Sequence, residues 1–206
     1  MKLTNINQDE IAKKAVELLK AGEVIVHPTE TCYGFAVDPF NSEALEKLYE
    51  IKKMEADKPL SIMVSSVAMA DKYGLFSDYA QNIVDQFWPG PVSIMVMKRK
   101  DAMPAFFNKN EKFISIRYSS DPFATQLVEL LGRPIVTTSA NLSGKAPCYN
   151  TKDLKEQLGV RRFDKIALIV DKGKIPENPP STIVKIVGDT TVFVRGDGKD
   201  LGGIMR

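Results

Sequence analysis

The sequence contains one histidine, two cysteines and one tryptophan in 206 residues. A lone imidazole, His27, excludes any metal site built on several histidines and most designs that use histidine as general base. His27 follows the strand-like EVIV and precedes Pro28, so it is expected at a strand end with its ring partly solvated and no catalytic role. Cys32 and Cys148 lie far apart and form no CxxC, which argues against a zinc site or a disulfide framework and fits a reducing cytoplasm. No apolar run approaches the roughly 18 residues needed to span a bilayer, and the start, MKLTNINQDEIAKKAVELL, has no apolar segment behind a basic end. A soluble chain with no membrane contact is expected. Excess charge is scarce too: 28 basic against 26 acidic residues leave +2, too little to argue for a nucleic-acid or membrane partner. There is no GxxxxGK[ST] phosphate loop. The final RGDGKDLGG precedes no helix, so it is no dinucleotide fingerprint, and residues 199 to 206 are expected to be a flexible tail.

What is present is a regular alternation of helix and strand signals. A first helix is predicted from the Asn7 cap to the Gly22 stop, with Ile11, Ala15, Leu18 and Leu19 inward. EVIV is a strand turned by Pro28 and continued from Tyr33 to Val37. The second helix buries Ala44, Leu45, Leu48 and Ile51, carries Lys52 and Lys53 in its last turn, and is limited by Pro59. LSIMV is a strand, SSVAMADKYG and SDYAQNIVDQF are helical, WPGP breaks the chain, and VSIMVMK and FISIRY are strands. Asp121, Pro122 and Gly132 supply the cap, first position and stop of a further helix. IVTT, the helix TKDLKEQLG, the strand IALIVD, a proline-rich turn and the strands STIVKIV and TTVFVRG complete the order. One α/β domain with a mixed, twisted β-sheet flanked by helices follows.

Three polar stretches, HPTETCYG, TTSANLSG and PPSTIV, begin or end strands, and one cleft at strand ends is expected to collect them. The hydroxyl loop is the richest, with Thr137, Thr138, Ser139, Asn141 and Ser143 together, more than a turn requires.

These pieces resemble the YrdC-like threonylcarbamoyl-adenylate synthases. HPTETCYGF resembles the family's Pro-Thr-Asp-Thr-x-Tyr-Gly-Leu turn, IKKMEADKPL its basic helix end, FWPGP its aromatic-proline loop and TTSANLSG its Thr-Ser-Ala-Asn-x-Ser-Gly segment. PSTIVKI and VFVRGDG resemble its last strands, so the pieces run in family order from the first helix to Arg195. The resemblance implies the short, single-domain form with a concave cleft. It implies that L-threonine, bicarbonate and ATP, with Mg²⁺, give threonylcarbamoyl-adenylate and pyrophosphate, the first step toward threonylcarbamoyladenosine in tRNA. Lys52, Lys58, Ser139, Asn141 and Arg195 would then bind nucleotide, Lys52 and Arg195 in catalytic roles, and Thr31, Arg117 and Ser181 would bind threonine.

Two departures point toward the YciO branch: Met54 stands where the family has an arginine and Met63 where the synthases have a histidine. Lys53 neighbours the first but points elsewhere on the helix. The alternative is therefore a YciO-like nucleotide- or double-stranded-RNA-binding protein with weak or no synthase activity, using residues 98 to 100, Lys109, Lys112, Arg161 and Arg162. Adenylation of another amino acid is a third reading. Contact with tRNA or with tRNA-modification partners is implied by the family alone.

Overall fold

The computed structural model describes residues 7–196; the expected tail lies outside them. Seven helices and ten strands alternate through this part of the chain. Helix α1 (Gln8–Lys20) is capped by the Asn7 side chain, which accepts from the Asp9 amide, and buries Ala12, Ala15, Val16 and Leu19. Strands β1 (Ile25–His27) and β2 (Gly34–Val37) are joined by the HPTETCY turn and pair antiparallel. Helix α2 (Ser42–Lys52) ends earlier than the Pro59 limit allows, because Lys53 enters the left-handed region at φ 49° and returns its amide to Tyr49 and Glu50.

β3 (Ser61–Val64) follows, then a single helical turn, α3 (Val67–Ala70), where a longer helix was expected. The two-residue strand β4 (Gly74–Leu75), which has no sequence signal of its own, pairs with β5 (Val92–Lys98) and ends that helix. α4 (Asp78–Phe87), β6 (Phe113–Tyr118), α5 (Pro122–Leu131) and β7 (Ile135–Ser139) match their signals. In α5 the Asp121 carboxylate caps Ala124 N–H and Gly132 closes the helix at φ 74°, a conformation that glycine adopts without a Cβ penalty. The remainder is α6 (Thr151–Leu158), a short α7 (Val160–Phe163), β8 (Leu168–Ile169), β9 (Thr182–Val187) and the edge strand β10 (Thr190–Arg195).

The strands form one mixed sheet in the order β10-β9-β5-β6-β3-β7-β2-β1-β8, with β4 beside β5. β1/β8, β3/β6 and β5/β9 are parallel and the other pairs antiparallel. On one face Val92, Ile94 and Val96 of β5 join Ile114, Ile116 and residues of α2 and α4 in the larger core. On the other, α1 and α5 cover Ile25, Ala36, Met63 and Ile135 with Phe123, Leu127 and Val128, leaving the β5/β6 half open. That half-covered face is the concave cleft. No described helix is long and apolar enough to cross a membrane.

His27 departs from expectation: its ring is 0% exposed, not partly solvated. β1 is flanked by β2 and β8, so a ring at its end is covered on both sides. Nδ1–H donates to the Pro28 carbonyl at 2.9 Å, Nε2 has no hydrogen-bond partner among the described residues, and burial lowers the pKa, keeping the ring neutral.

Candidate active site

The open half of the sheet forms a cleft of about 540 Å³, within the range of small-molecule sites. All three polar stretches reach it. Thr29, Thr31 and Cys32 come from the β1–β2 turn, Thr137 to Ser139 and Asn141 from the end of β7, and Pro180 and Ser181 from the entry to β9. Lys52, Lys58, Arg117 and Arg195 also line it, so every residue singled out as nucleotide- or threonine-binding faces one space.

Lys52 ends α2 and is 3% exposed. Its ammonium donates to the Ser139 carbonyl, to the Asn141 carbonyl at 3.0 Å and to Asn141 Oδ1 at 3.4 Å, and stands 5.3 Å from the Phe35 ring centroid. Burial pushes its pKa down to about 8, with the Lys58 charge acting in the same direction. Asn141 is equally committed: its amide donates to the Leu142 carbonyl at 2.7 Å and the Lys145 carbonyl at 2.8 Å, while Oδ1 also accepts from the Ser139 hydroxyl. Lys52 and Asn141 thus hold the hydroxyl loop together from inside. Lys58, further along the chain in an exposed loop, keeps its ammonium free of any ion pair among the described residues.

At the other end of the cleft, Arg117 is buried on β6. Its guanidinium donates to Gly90 O at 3.3 Å and to Thr31 Oγ1 at 3.5 Å, and pairs with Glu30 Oε1 at 2.9 Å. Burial raises the Glu30 pKa, but Arg117 and the hydrogen bonds from Ser119 and Ser120 outweigh it, leaving the carboxyl below its usual value. Arg195 donates from Nε to Ser181 O at 2.8 Å and from Nη2 to Ser181 Oγ at 2.7 Å. Its pKa is lowered by burial and then by the nearby Arg117 charge. Arg195 therefore sits beside Ser181 and Arg117, two of the residues expected from the sequence to bind threonine. Two guanidiniums stand here against the single carboxylate of Glu30, leaving a net positive end able to receive an anion.

Met54 lines the cleft half-buried, in the space an arginine would need. Met63 does not: it is 0% exposed and packs under α1 and α5, paired across strands with Arg117. Lys53 occupies the helix C-cap and is exposed outside the cleft. Residues not singled out in the sequence include Thr29, whose hydroxyl donates to Cys32 O at 2.7 Å and fixes the turn, and Glu30. The ET in HPTET was a signal for Glu30, but its partner Arg117 is distant in sequence.

Among the described residues no cluster of three or more His, Cys, Asp or Glu could hold a metal. Glu111 is the one carboxylate side chain lining the cleft among the described residues, too few for an all-protein Mg²⁺ site.

The profile of the family described as telomere recombination, which groups the Sua5, YciO and YrdC proteins, matches residues 17–196. The chain belongs to the Sua5/YciO/YrdC family. A threonylcarbamoyl-AMP synthase of Vibrio campbellii is 32% identical over 174 residues, covering 83% of this chain and 91% of its own. The structure of Pyrococcus abyssi Sua5 complexed with L-threonine superposes with a TM-score of 0.85 at 26% identity, over 98% of this chain and 60% of that one. This family member thus spans about 60% of the length of that Sua5 chain. Escherichia coli YciO superposes with a TM-score of 0.81 at 26% identity, over 95% of this chain and 94% of its own.

Proposed function

We propose that the chain is an L-threonylcarbamoyl-AMP synthase, taking L-threonine, bicarbonate and ATP. The observation that carries the reading is one cleft with lysines at one end and the Arg117–Thr31–Ser181–Arg195 group at the other. Similarity to threonylcarbamoyl-AMP synthases and to a Sua5 structure complexed with L-threonine supports it over a binding-only, YciO-like role.

In this reading the threonine carboxylate lies against Arg117, already oriented by Gly90 and Glu30, with Arg195 and Ser181 closing the same end. The threonine amine and CO₂ form a carbamate. Its oxygen attacks the α-phosphorus of ATP, the bond to the bridging oxygen breaks, and pyrophosphate leaves with that electron pair. Positioning and charge neutralisation dominate such a transfer, so a fold with one neutral, buried histidine suffices. Lys58 meets the phosphates, while Lys52 shapes the Ser139–Asn141 loop that receives the nucleotide. Mg²⁺ enters as part of the nucleotide, and two free, buried thiols fit a cytoplasmic setting.

The test is pyrophosphate release from ATP with bicarbonate, with and without L-threonine, and the product identified by mass. Threonine-dependent formation of threonylcarbamoyl-AMP is expected. ATP binding without pyrophosphate release would sink the synthase reading and leave the YciO-like one.

A further inference from the structure

The loop carrying Lys58 has little to hold it. Residues 55 to 59 are all exposed, so the stretch carrying Lys58 buries no side chain of its own between half-buried Met54 and buried Leu60 at its two ends. Locally, Lys58 N–H donates to Glu55 O at 3.1 Å and the Tyr49 hydroxyl donates to Lys58 O at 3.1 Å. The loop rejoins the sheet at Leu60, one residue before the ladder begins: β3 pairs with β7 from Ser61 and with β6 from Ile62. Leu60 therefore needs partners for its N–H and C=O from outside the sheet.

Asn108 supplies both. Its Oδ1 accepts from Leu60 N–H at 3.0 Å and its Nδ2 donates to Leu60 O at 2.9 Å, so the carboxamide acts as a stand-in peptide beside the strand end. Asn108 comes from the segment between β5 and β6, remote from every motif of the sequence, and its backbone lies at φ 44°, where asparagine is better tolerated than most residues. Its own carbonyl accepts from Lys98 Nζ at 3.2 Å and from Glu111 N–H at 2.9 Å, which ties the clamp to the β5–β6 framework. Asn108 also lines the cleft with Lys58 and Leu60.

We propose that Asn108 is a positioning residue for the nucleotide: by gripping both backbone groups of Leu60 it holds the Lys58 ammonium at the phosphate end of the cleft. The inference rests on the reading of Lys58 as a phosphate contact. A lysine on an untethered loop spends its binding energy on ordering that loop, whereas a tethered one presents its charge in place. The clamp contributes through Lys58 and not through a contact of its own with ATP.

A double-mutant cycle reads this directly, with the Kd of ATP in the presence of Mg²⁺ measured by calorimetry so that turnover is not required. Asn108→Gly keeps the backbone conformation and removes the carboxamide. It is expected to weaken ATP binding about tenfold, the loss of two hydrogen bonds, and to leave the L-threonine Kd unchanged. Lys58→Ala is expected to weaken ATP as much or more, and the double variant to be no weaker than Lys58→Ala alone. Losses that add in the double variant, or an unchanged ATP Kd in Asn108→Gly, would overturn the proposal. Wild-type affinity in Lys58→Ala would overturn the phosphate role of Lys58 and the clamp's purpose with it, while threonine-dependent pyrophosphate release judges the synthase reading separately. If Asn108→Gly fails to fold, Asn108→Ser, which retains one hydroxyl for the Leu60 backbone, takes its place in the same cycle: non-additive losses with Lys58→Ala support the clamp, and additive losses or an unchanged ATP Kd overturn it.

Discussion

Lys52 concentrates the chemistry of a single residue. Its folded pKa of about 8 lies below the ordinary 10.5, so the folded chain gives up this proton before the unfolded chain does. The stability contribution of Lys52 therefore rises with pH between those values and carries its full burial penalty below pH 8. Function runs the other way, because the ammonium that grips Ser139 and Asn141 is lost as pH climbs. ATP affinity is expected to fall above an inflection near pH 8, and a flat profile across that value would remove Lys52 from the loop's control. At the end of the cleft proposed for threonine, Arg117→Lys exchanges a planar fork for a point charge. The KM for threonine should rise about ten- to a hundredfold while the KM for ATP stays put. Met54 faces the cleft, so Met54→Arg places a guanidinium in reach of phosphates and should raise synthase activity; no gain in kcat/KM would mean that the missing fork does not limit the enzyme.

At the scale of elements, the loop after β7 behaves as one polar unit. Removing the Asn141 amide takes a donor from the Leu142 and Lys145 carbonyls, frees the Ser139 hydroxyl and removes one of the three oxygen acceptors of Lys52. Asn141→Ala is expected to lower stability by about 1–3 kcal/mol and to weaken ATP binding, measured by thermal unfolding and calorimetry on the same sample. Unchanged affinity would contradict the loop's role. Much of this was legible beforehand: the excess of hydroxyls marked the loop, and Asp121, Pro122 and Gly132 marked both ends of α5. The misses share a cause. α3 and β4 are too short for periodicity to register, and α2 stops because Lys53 takes a left-handed turn that no proline or glycine announces.

Across the whole molecule the sheet divides labour between its faces. One carries the larger core; the other is half roofed by α1 and α5 and half open as the cleft. The basic residues suggested for RNA do not gather on that open half. Lys98 bonds to the Asn108 carbonyl, Arg99 to the Asp71 and Gly74 carbonyls, and Arg161 and Arg162 act on Glu50 of α2, which packs on the opposite face. Binding of double-stranded RNA should accordingly be weak and non-specific at physiological salt, with Kd no tighter than about 10⁻⁶ M. Titration at two salt concentrations checks this, and a tighter, steeply salt-dependent complex would show a basic surface assembled elsewhere.

The sequence alone determined the α/β class, the order of most elements and the three polar stretches that line the cleft. Hydrophobic period, capping residues and clustered hydroxyls are local signals, and their physical meaning does not depend on the fold. Tertiary structure decided how those residues are used. It buried His27 between two strands, moved Met63 out of the cleft while leaving Met54 in it, and set Arg195 beside Ser181. It also brought Glu30 of the β1–β2 turn to Arg117 on β6, and Asn108 to Leu60 where β3 and β6 lie side by side, pairs far apart in the chain. Charges and hydrogen bonds act over a few ångströms in space, and only the folded sheet brings such distant partners into range.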